Sequence, residues 1–472
     1  RAVAALSLDV AVLLMDLRGL RESGLLLMHG LRDEDTRIFR SEIEKQRRAV
    51  LHHRDELFVA HPGRVKEDVV AEVTNAVDDL ASVIDRAVVC AELDDRKAER
   101  ALGFGFFRTH WGRVLYLIVF WFVDISMILA YFAPDGEMKA FWMVLRNSWL
   151  GFAAYMVQVW ILMRVVQWIW FKVKKIPKSQ AYERRYRVIF GCVLLCLTGL
   201  INVYGIIHAR QTETERYEIT IDKEAGELKN LRVALVADLH LGYNIGVNEM
   251  RTMVDIINRE NVDIVLMAGD IYDNDFGAID HPDEIRTLFQ SIQSKYGVYA
   301  CYGNHDVAET TLGGFTLEDP NLPKTSDQQM DEFLESAGIV LLRDQSVLID
   351  QAFYVVGRQD YSTEKKAGVV RATPTELVEG LDQSKPIIVI DHQPRELQEL
   401  ADAGVDLDLC GHTHDGQLFP GNIATAIFWE NSCGYLRKGT MQNIVTSGVG
   451  LWGPNLRVGT NSEVCVIDIT FE

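Results

Sequence analysis

Three long apolar runs, Val114–Ala133, Trp149–Phe171 and Val188–Ile207, constrain this chain more than any other feature. Each is about 20 residues, the length that carries a helix across the roughly 30 Å hydrocarbon core of a bilayer. Backbone polar groups in lipid must satisfy one another, so such runs fold as helices. Trp149, Trp168, Trp170 and Tyr204 stand near their ends, where amphipathic rings suit the membrane–water boundary. The expectation is a membrane domain over 113–207 with three transmembrane helices. Asp124 and Arg164 fall inside the first two runs, and an Asp–Arg pair joining those helices is the plainest account of them.

Loop charge orients the runs. The connection between the second and third carries Lys172, Lys174, Lys175, Lys178, Arg184, Arg185 and Arg187 against Glu183 alone. It reads as cytoplasmic, as does the basic stretch Arg96, Lys97, Arg100, Arg108 and Arg113 before the first run. The short loop bearing Asp135, Glu137, Lys139 and Arg146 is neutral. Three crossings then put everything after Ile207 outside the cytoplasm, in a multi-pass protein of the cell membrane.

Residues 1–100 are Arg-rich and nearly free of aromatics. Val69, Val73, Val77, Leu80, Ile84 and Val88 recur at steps of three and four, the spacing of one helix face. An α-helical N-terminal region of unassigned role follows, either a packed stalk or bundle or a homodimer formed through residues 65–99. Val3–Met15 is apolar but short and broken by Asp9, unlike a secretory leader. The seven cysteines make no CxxC pattern.

Residues 208–230 read as a polar linker with an edge hairpin. From 231 to 472 the pattern changes to strands alternating with helices. Strands are expected at Leu231–Ala237, Asp263–Ala268, Val298–Tyr302, Phe353–Val356, Pro386–Ile390, Asp406–Cys410, Asn443–Ser447 and Val464–Ile469. Helices are expected at Val247–Glu260, Pro282–Ser294, Gln328–Ala337 and Pro394–Ala403. Such interleaving predicts an α/β domain, a β-sandwich flanked by helices. Residues 209–472 hold 20 Lys+Arg against 43 Asp+Glu. That acidity excludes a nucleic-acid-binding surface, which needs a basic footprint.

Chemistry concentrates where the apolar runs of this second half end. They terminate in Asp238-Leu239-His240, Gly269-Asp270, Gly303-Asn304-His305-Asp306, Asp391-His392 and Gly411-His412-Thr413-His414. Five of the six histidines after residue 209 fall in these pieces, leaving only His281 apart. In extended backbone residues i and i+2 point the same way, so Asp238 and His240 can grip one ion, and His412 and His414 can face one centre. The glycines let the backbone turn where a ligand must be presented. Asp270 has two oxygens to offer as a bridge. Mixed imidazole and carboxylate donors suit Mn, Fe or Zn better than Ca.

Taken in order, these motifs resemble the calcineurin-like metallophosphoesterase superfamily over about residues 231–470. The continuation His412-Thr413-His414-Asp415-Gly416-Gln417 and the segment Ser447-Gly448-Val449-Gly450 are similar to its membrane-associated bacterial phosphodiesterase branch. The resemblance implies two divalent metal ions sharing Asp270, one held by Asp238, His240 and His414, the other by Asn304, His392 and His412. It implies a metal-bridging hydroxide as nucleophile, with His305 beside the leaving-group oxygen and Asp273 orienting His305. Asn274 and Asp275 stand where protein phosphatases of the superfamily carry Arg and Gly, which turns the expectation away from phosphoproteins. Arg358 and Arg457 are candidates for gripping a substrate phosphate oxygen or for a surface or structural role, and Trp452 for lining the pocket or for packing. The expected activity is hydrolysis of a phosphodiester or pyrophosphate bond in a substrate that proximity to the bilayer would make lipid-linked. The alternative is a catalytically silent signalling or scaffold protein.

Overall fold

The computed structural model describes residues 110–133, 136–175, 184–307, 311–312, 315–316, 328–362 and 370–472. The expected helical region 1–100, with its dimerisation segment, lies outside the described residues. Val119–Lys178 and Phe190–Glu472 form one compact unit, and the contacts described below lie within it.

Three helices come first: α1 (His110–Phe132), α2 (Glu137–Val173) and α3 (Arg184–His208). The rest of the chain runs β1 (Thr212–Ile221), β2 (Asn230–Val236), α4 (Val247–Glu260), β3 (Ile264–Ala268), α5 (Pro282–Gln290) and β4 (Val298–Cys301). It continues through β5 (Thr311–Leu312), β6 (Phe315–Thr316), α6 (Gln328–Ser336), β7 (Ile339–Leu341), β8 (Gln345–Ile349), β9 (Phe353–Gly357) and α7 (Pro374–Leu377). Last come β10 (Ile387–Ile390), α8 (Leu397–Asp402), β11 (Leu407–Cys410), α9 (Gly421–Phe428), β12 (Gly434–Lys438), β13 (Met441–Val445) and β14 (Ser462–Phe471).

Two six-stranded sheets face each other, ordered β1-β14-β2-β3-β4-β7 and β12-β13-β11-β10-β9-β8. Both are mixed. The central strands run parallel, while β14 meets β2, β12 meets β13 and β8 meets β9 antiparallel. Leu235, Leu266, Val355, Ile388 and Leu409 fill the space between the sheets. Strands β3 and β10 are buried on both faces, which is why each reads as a continuous apolar run. Helix α4 covers the outer face of the first sheet. Its Met250, Met253, Val254, Ile256 and Ile257 repeat at helical spacing and are all buried.

Several expectations need correction. Among the described residues two helices, not three, are long and apolar enough to cross a membrane: Glu137–Val173 and Ile189–His208. In α1 the apolar helix among the described residues is the shorter Leu117–Ser126, with Asp124 inside it. Asp124 does not pair with Arg164. Its carboxylate accepts from Trp149 Nε1 at 2.9 Å, and Arg164 donates to Gln167 at 3.0 Å. Glu137, Lys139 and Arg146 are not in a loop but on the first turns of α2. That half of α2 packs on the two-sheet part of the unit, with Lys139 Nζ 3.5 Å from Asp275. The expected linker holds a ten-residue strand, β1, which pairs parallel with β14 along its whole length.

Candidate metal centre

The strands of the first sheet deliver the upstream motifs and those of the second sheet the downstream ones, at one shared edge. Asp238 and His240 follow β2, Asp270 follows β3, and Asn304 and His305 follow β4. His392 follows β10, and His412 and His414 follow β11. The presenting backbone is not extended, contrary to the sequence argument. Asp238, His240, Asp270, His412 and His414 all have φ between 47° and 73°. An L-residue gives up roughly 1–2 kcal/mol there, so five such residues at one edge mark a strained site held by its surroundings. Those surroundings are tight: a Cβ on Gly303 would sit 2.2 Å from Asp270 Oδ1.

Side chains from all five motifs converge. His240 Nε2 and His414 Nε2 are 3.0 Å apart, with Asp238 Oδ1 3.5 Å from the latter. His392 Nε2 lies 3.1 Å from His412 Nδ1 and 3.2 Å from Asn304 Oδ1. Asp270 Oδ2 stands between the two groups, 3.1 Å from His392 Nε2 and 3.7 Å from His240 Nε2. Its other oxygen is taken by the His305 amide at 2.8 Å. Asp238, His240, Asp270, His392 and His414 are all buried.

This donor set fits divalent cations. His392 Nδ1 donates to the Ala268 carbonyl at 2.9 Å, which fixes the tautomer and leaves the Nε2 lone pair facing the centre. Facing lone pairs on buried imidazoles repel unless something positive sits between them. Burial, with His392 next in weight, pushes His412 down to about 3, and burial with His240 also pushes His414 down, so both rings are neutral. Burial lifts Asp238 up to about 6, with Asp270 adding to the rise. Asp270 stays well below the usual carboxylate range because His392 and His305 outweigh its burial. Two carboxylates in one dry centre compete for a single negative charge until cations arrive.

His305 and Asp273 adjoin this centre. Burial works against a charged His305, but Asp270 and Asp273 prevail and raise it to about 9. Asp273 does not hold His305 alone. Its Oδ1 is 3.6 Å from Nδ1 of His305 and 3.6 Å from Nδ1 of His240. The short bond to His305 Nδ1 comes from Asn274 Oδ1, at 2.6 Å.

The remaining expectations fare differently. Arg358 is 1% exposed and donates to Asp391 at 3.2 Å and Glu396 at 2.7 Å. Arg457 is 0% exposed and donates to the carbonyls of Ser447, Gly448 and Gly450 from behind His414. Neither guanidinium is presented to a substrate; both brace the loops that carry ligands. Trp452 is half-exposed, and its backbone is clamped by Gln417 at 2.8 and 2.9 Å. The sequence reading gave no site role to three residues found here. Asn274 directly follows Asp273. Trp429 sets its ring edge-on to His412, centroids 5.1 Å apart. Arg395, three residues after His392, lies 4.4 Å over the Trp429 ring. Adjacency to a motif was the only sequence signal for Asn274 and Arg395, and Trp429, twelve residues beyond Gln417, had none.

The mixed α/β sandwich thus gathers His, Asp and Asn from its strand ends into groups that could hold metal ions. Residues 231–416 match the family model described as calcineurin-like phosphoesterase. A "Transmembrane protein with metallophosphoesterase domain" of Danio rerio is 27% identical over 57% of this chain and 60% of its own length. An "Uncharacterized metallophosphoesterase" of Helicobacter pylori is 28% identical over 56% of this chain and 64% of its own. One from Campylobacter jejuni is 26% identical over 62% and 72%. The chain thus matches less than two thirds of the length of the first two relatives.

Proposed function

We propose that this chain is a membrane-anchored, dinuclear metal-dependent phosphoesterase that cleaves a phosphodiester or pyrophosphate bond in a substrate presented at the bilayer. The observation that carries the reading is the convergence of imidazole, carboxylate and amide donors from five loops into one buried centre, with Asp270 between two groups. Asp238, His240 and His414 would hold one ion, Asn304, His392 and His412 the other. Divalent Mn, Fe or Zn ions, when bound, supply Lewis acidity at phosphorus and a nucleophile from water at neutral pH.

The chain's own groups do the rest. Asn274 accepts the His305 Nδ1 proton, which leaves Nε2 as the nitrogen that donates to a leaving-group oxygen. Asp273 lends negative charge to both His305 and His240. The two long apolar helices support the membrane anchor, as does the printed name of the zebrafish relative. The basic loop after Val173 orients it: a cytoplasmic loop between α2 and α3 puts the catalytic unit on the outer face.

The test is hydrolysis of bis-p-nitrophenyl phosphate against p-nitrophenyl phosphate by the full chain in detergent. Truncation at Leu231 would remove β1 and is avoided. Turnover of the diester that needs Mn, stops with chelator and is lost in Asp270→Asn is expected. Two tightly bound metals with no turnover of either ester would sink the enzymatic reading.

A further inference from the structure

Helix α9 buries none of its own side chains. Ile423, Ile427 and Phe428 are 53%, 74% and 83% exposed, an apolar surface that water does not favour. Its two ends are nevertheless firmly placed. At the start, Tyr155 Oη on α2 donates to the Phe419 carbonyl at 3.1 Å, and the Phe419 amide donates to Val458 at 2.8 Å. The Arg457 amide in turn donates to the Gly205 carbonyl of α3 at 3.1 Å. At the far end, Trp429 meets the ring of His412.

The height of that anchorage identifies what covers α9. Tyr155 is among the last residues of α2 buried against the catalytic unit. Immediately beyond it Val157, Trp160, Ile161 and Leu162 are exposed, so α2 turns a largely apolar surface outward. A helix with that surface needs lipid around it. Helix α9 therefore starts at the level where the apolar part of α2 begins, and Trp452, an aromatic suited to the membrane boundary, is exposed in the same neighbourhood. At the far end of α9 lies an open groove of about 250 Å³ lined by Tyr361, Arg395, Glu396, Phe428, Trp429 and Glu430. Arg395 is held 4.8 Å over Tyr361 and 4.4 Å over Trp429, a fixed guanidinium for a phosphate oxygen.

We propose that α9 is an interfacial helix seated in the bilayer surface, through which a phosphodiester lipid passes from the membrane, headgroup first, along Arg395 to the metal centre. The step from surface to turnover rests on the phosphoesterase reading above; the seating of α9 does not.

Two experiments on the full chain test it. In nanodiscs of phosphatidylglycerol and phosphatidylethanolamine, p-benzoylphenylalanine placed at Ile423 or Phe428 should crosslink to lipid. The same probe at Val340, exposed on the edge strand β7 far along the sheet from β1, should not. Absence of lipid adducts at Phe428, or adducts to a second copy of the chain or another polypeptide instead, overturns the proposal. Secondly, Ile427→Glu should lower the ratio of phosphatidylglycerol to bis-p-nitrophenyl phosphate turnover about tenfold or more. An unchanged ratio overturns the passage of lipid along α9. Lipid adducts without hydrolysis of any ester would instead remove the phosphoesterase reading, and the passage with it, while supporting the seating.

Discussion

His305 Nδ1 lies 2.6 Å from the side-chain oxygen of Asn274, whereas the neighbouring carboxylate of Asp273 stands 3.6 Å away. An amide oxygen accepts only, so it fixes the proton on Nδ1 without neutralising the ring. Asn274 is itself buried and tied to the Val307 carbonyl at 3.2 Å.

Asn274→Ala is expected to lower kcat roughly tenfold, less than the 100-fold or more expected of His305→Ala. Bound metal should stay at the wild-type level, and Asn274→Asp should restore most of the rate. Steady-state kinetics with metal analysis decides; wild-type kcat in the alanine variant removes Asn274 from the positioning of His305.

Metal removal should loosen the fold as well as stop turnover. A ligand present at 100 times its Kd stabilises by about 2.7 kcal/mol, and two sites add. Thermal unfolding with Mn and after chelation should therefore differ by several degrees, with the difference abolished in His414→Ala together with Asp270→Asn. Equal melting temperatures would mean the centre holds no ion.

Arg358 and Arg371 share the buried carboxylate of Asp391, next to His392. Arg358→Met strips one cation from a fully buried acid, and such losses cost about 3–5 kcal/mol. Denaturant unfolding should register that drop. A variant of wild-type stability with a raised KM would instead return Arg358 to substrate binding.

Burial pushes the Asp408 carboxyl up to about 7 from its ordinary 3.8, with Asp391 adding to the rise. Between those values the folded protein holds a proton that the unfolded chain has released. Stability therefore falls as pH rises from about 4 to about 7, by at most about 1.4 kcal/mol per unit, and levels off above. Asp408→Asn should flatten that part of the profile. An identical slope in wild type and variant would contradict the assignment.

Much of the sandwich was legible because strands buried on both faces cannot avoid being apolar: Ile264–Ala268 and Ile387–Ile390 stand out from their surroundings. Helix α4 was readable from its cap to its last turn by the spacing of Met250, Met253 and Ile257. Strand β1 was not, since Thr212–Glu218 is mostly exposed at a sheet edge and carries polar residues like any linker. Motif order named the side chains that meet at the centre, but not their backbone state, because left-handed φ at Asp238 or His412 leaves no mark in composition. Charge misled twice. An arginine that braces a loop and one that grips a phosphate look alike in sequence, and only burial separates Arg457 from Arg395. Asp124 and Arg164, read from their charges as a pair, bond instead to Trp149 and Gln167.

The pairing of β14 between β1 and β2 carries a consequence for biosynthesis. The first two strands to leave the ribosome after α3 are joined only by the last strand of the sheet, Ser462–Phe471. Until that strand is made, β1 has no neighbour, and the loop ahead of it, with Arg457 behind His414, has not been threaded into place. Helices α2 and α3 are thus made before the two-sheet unit can close. A chain stalled anywhere short of Ser462 lacks the strand that joins β1 to β2, so the cluster of His and Asp side chains cannot reach its final setting before that strand is made.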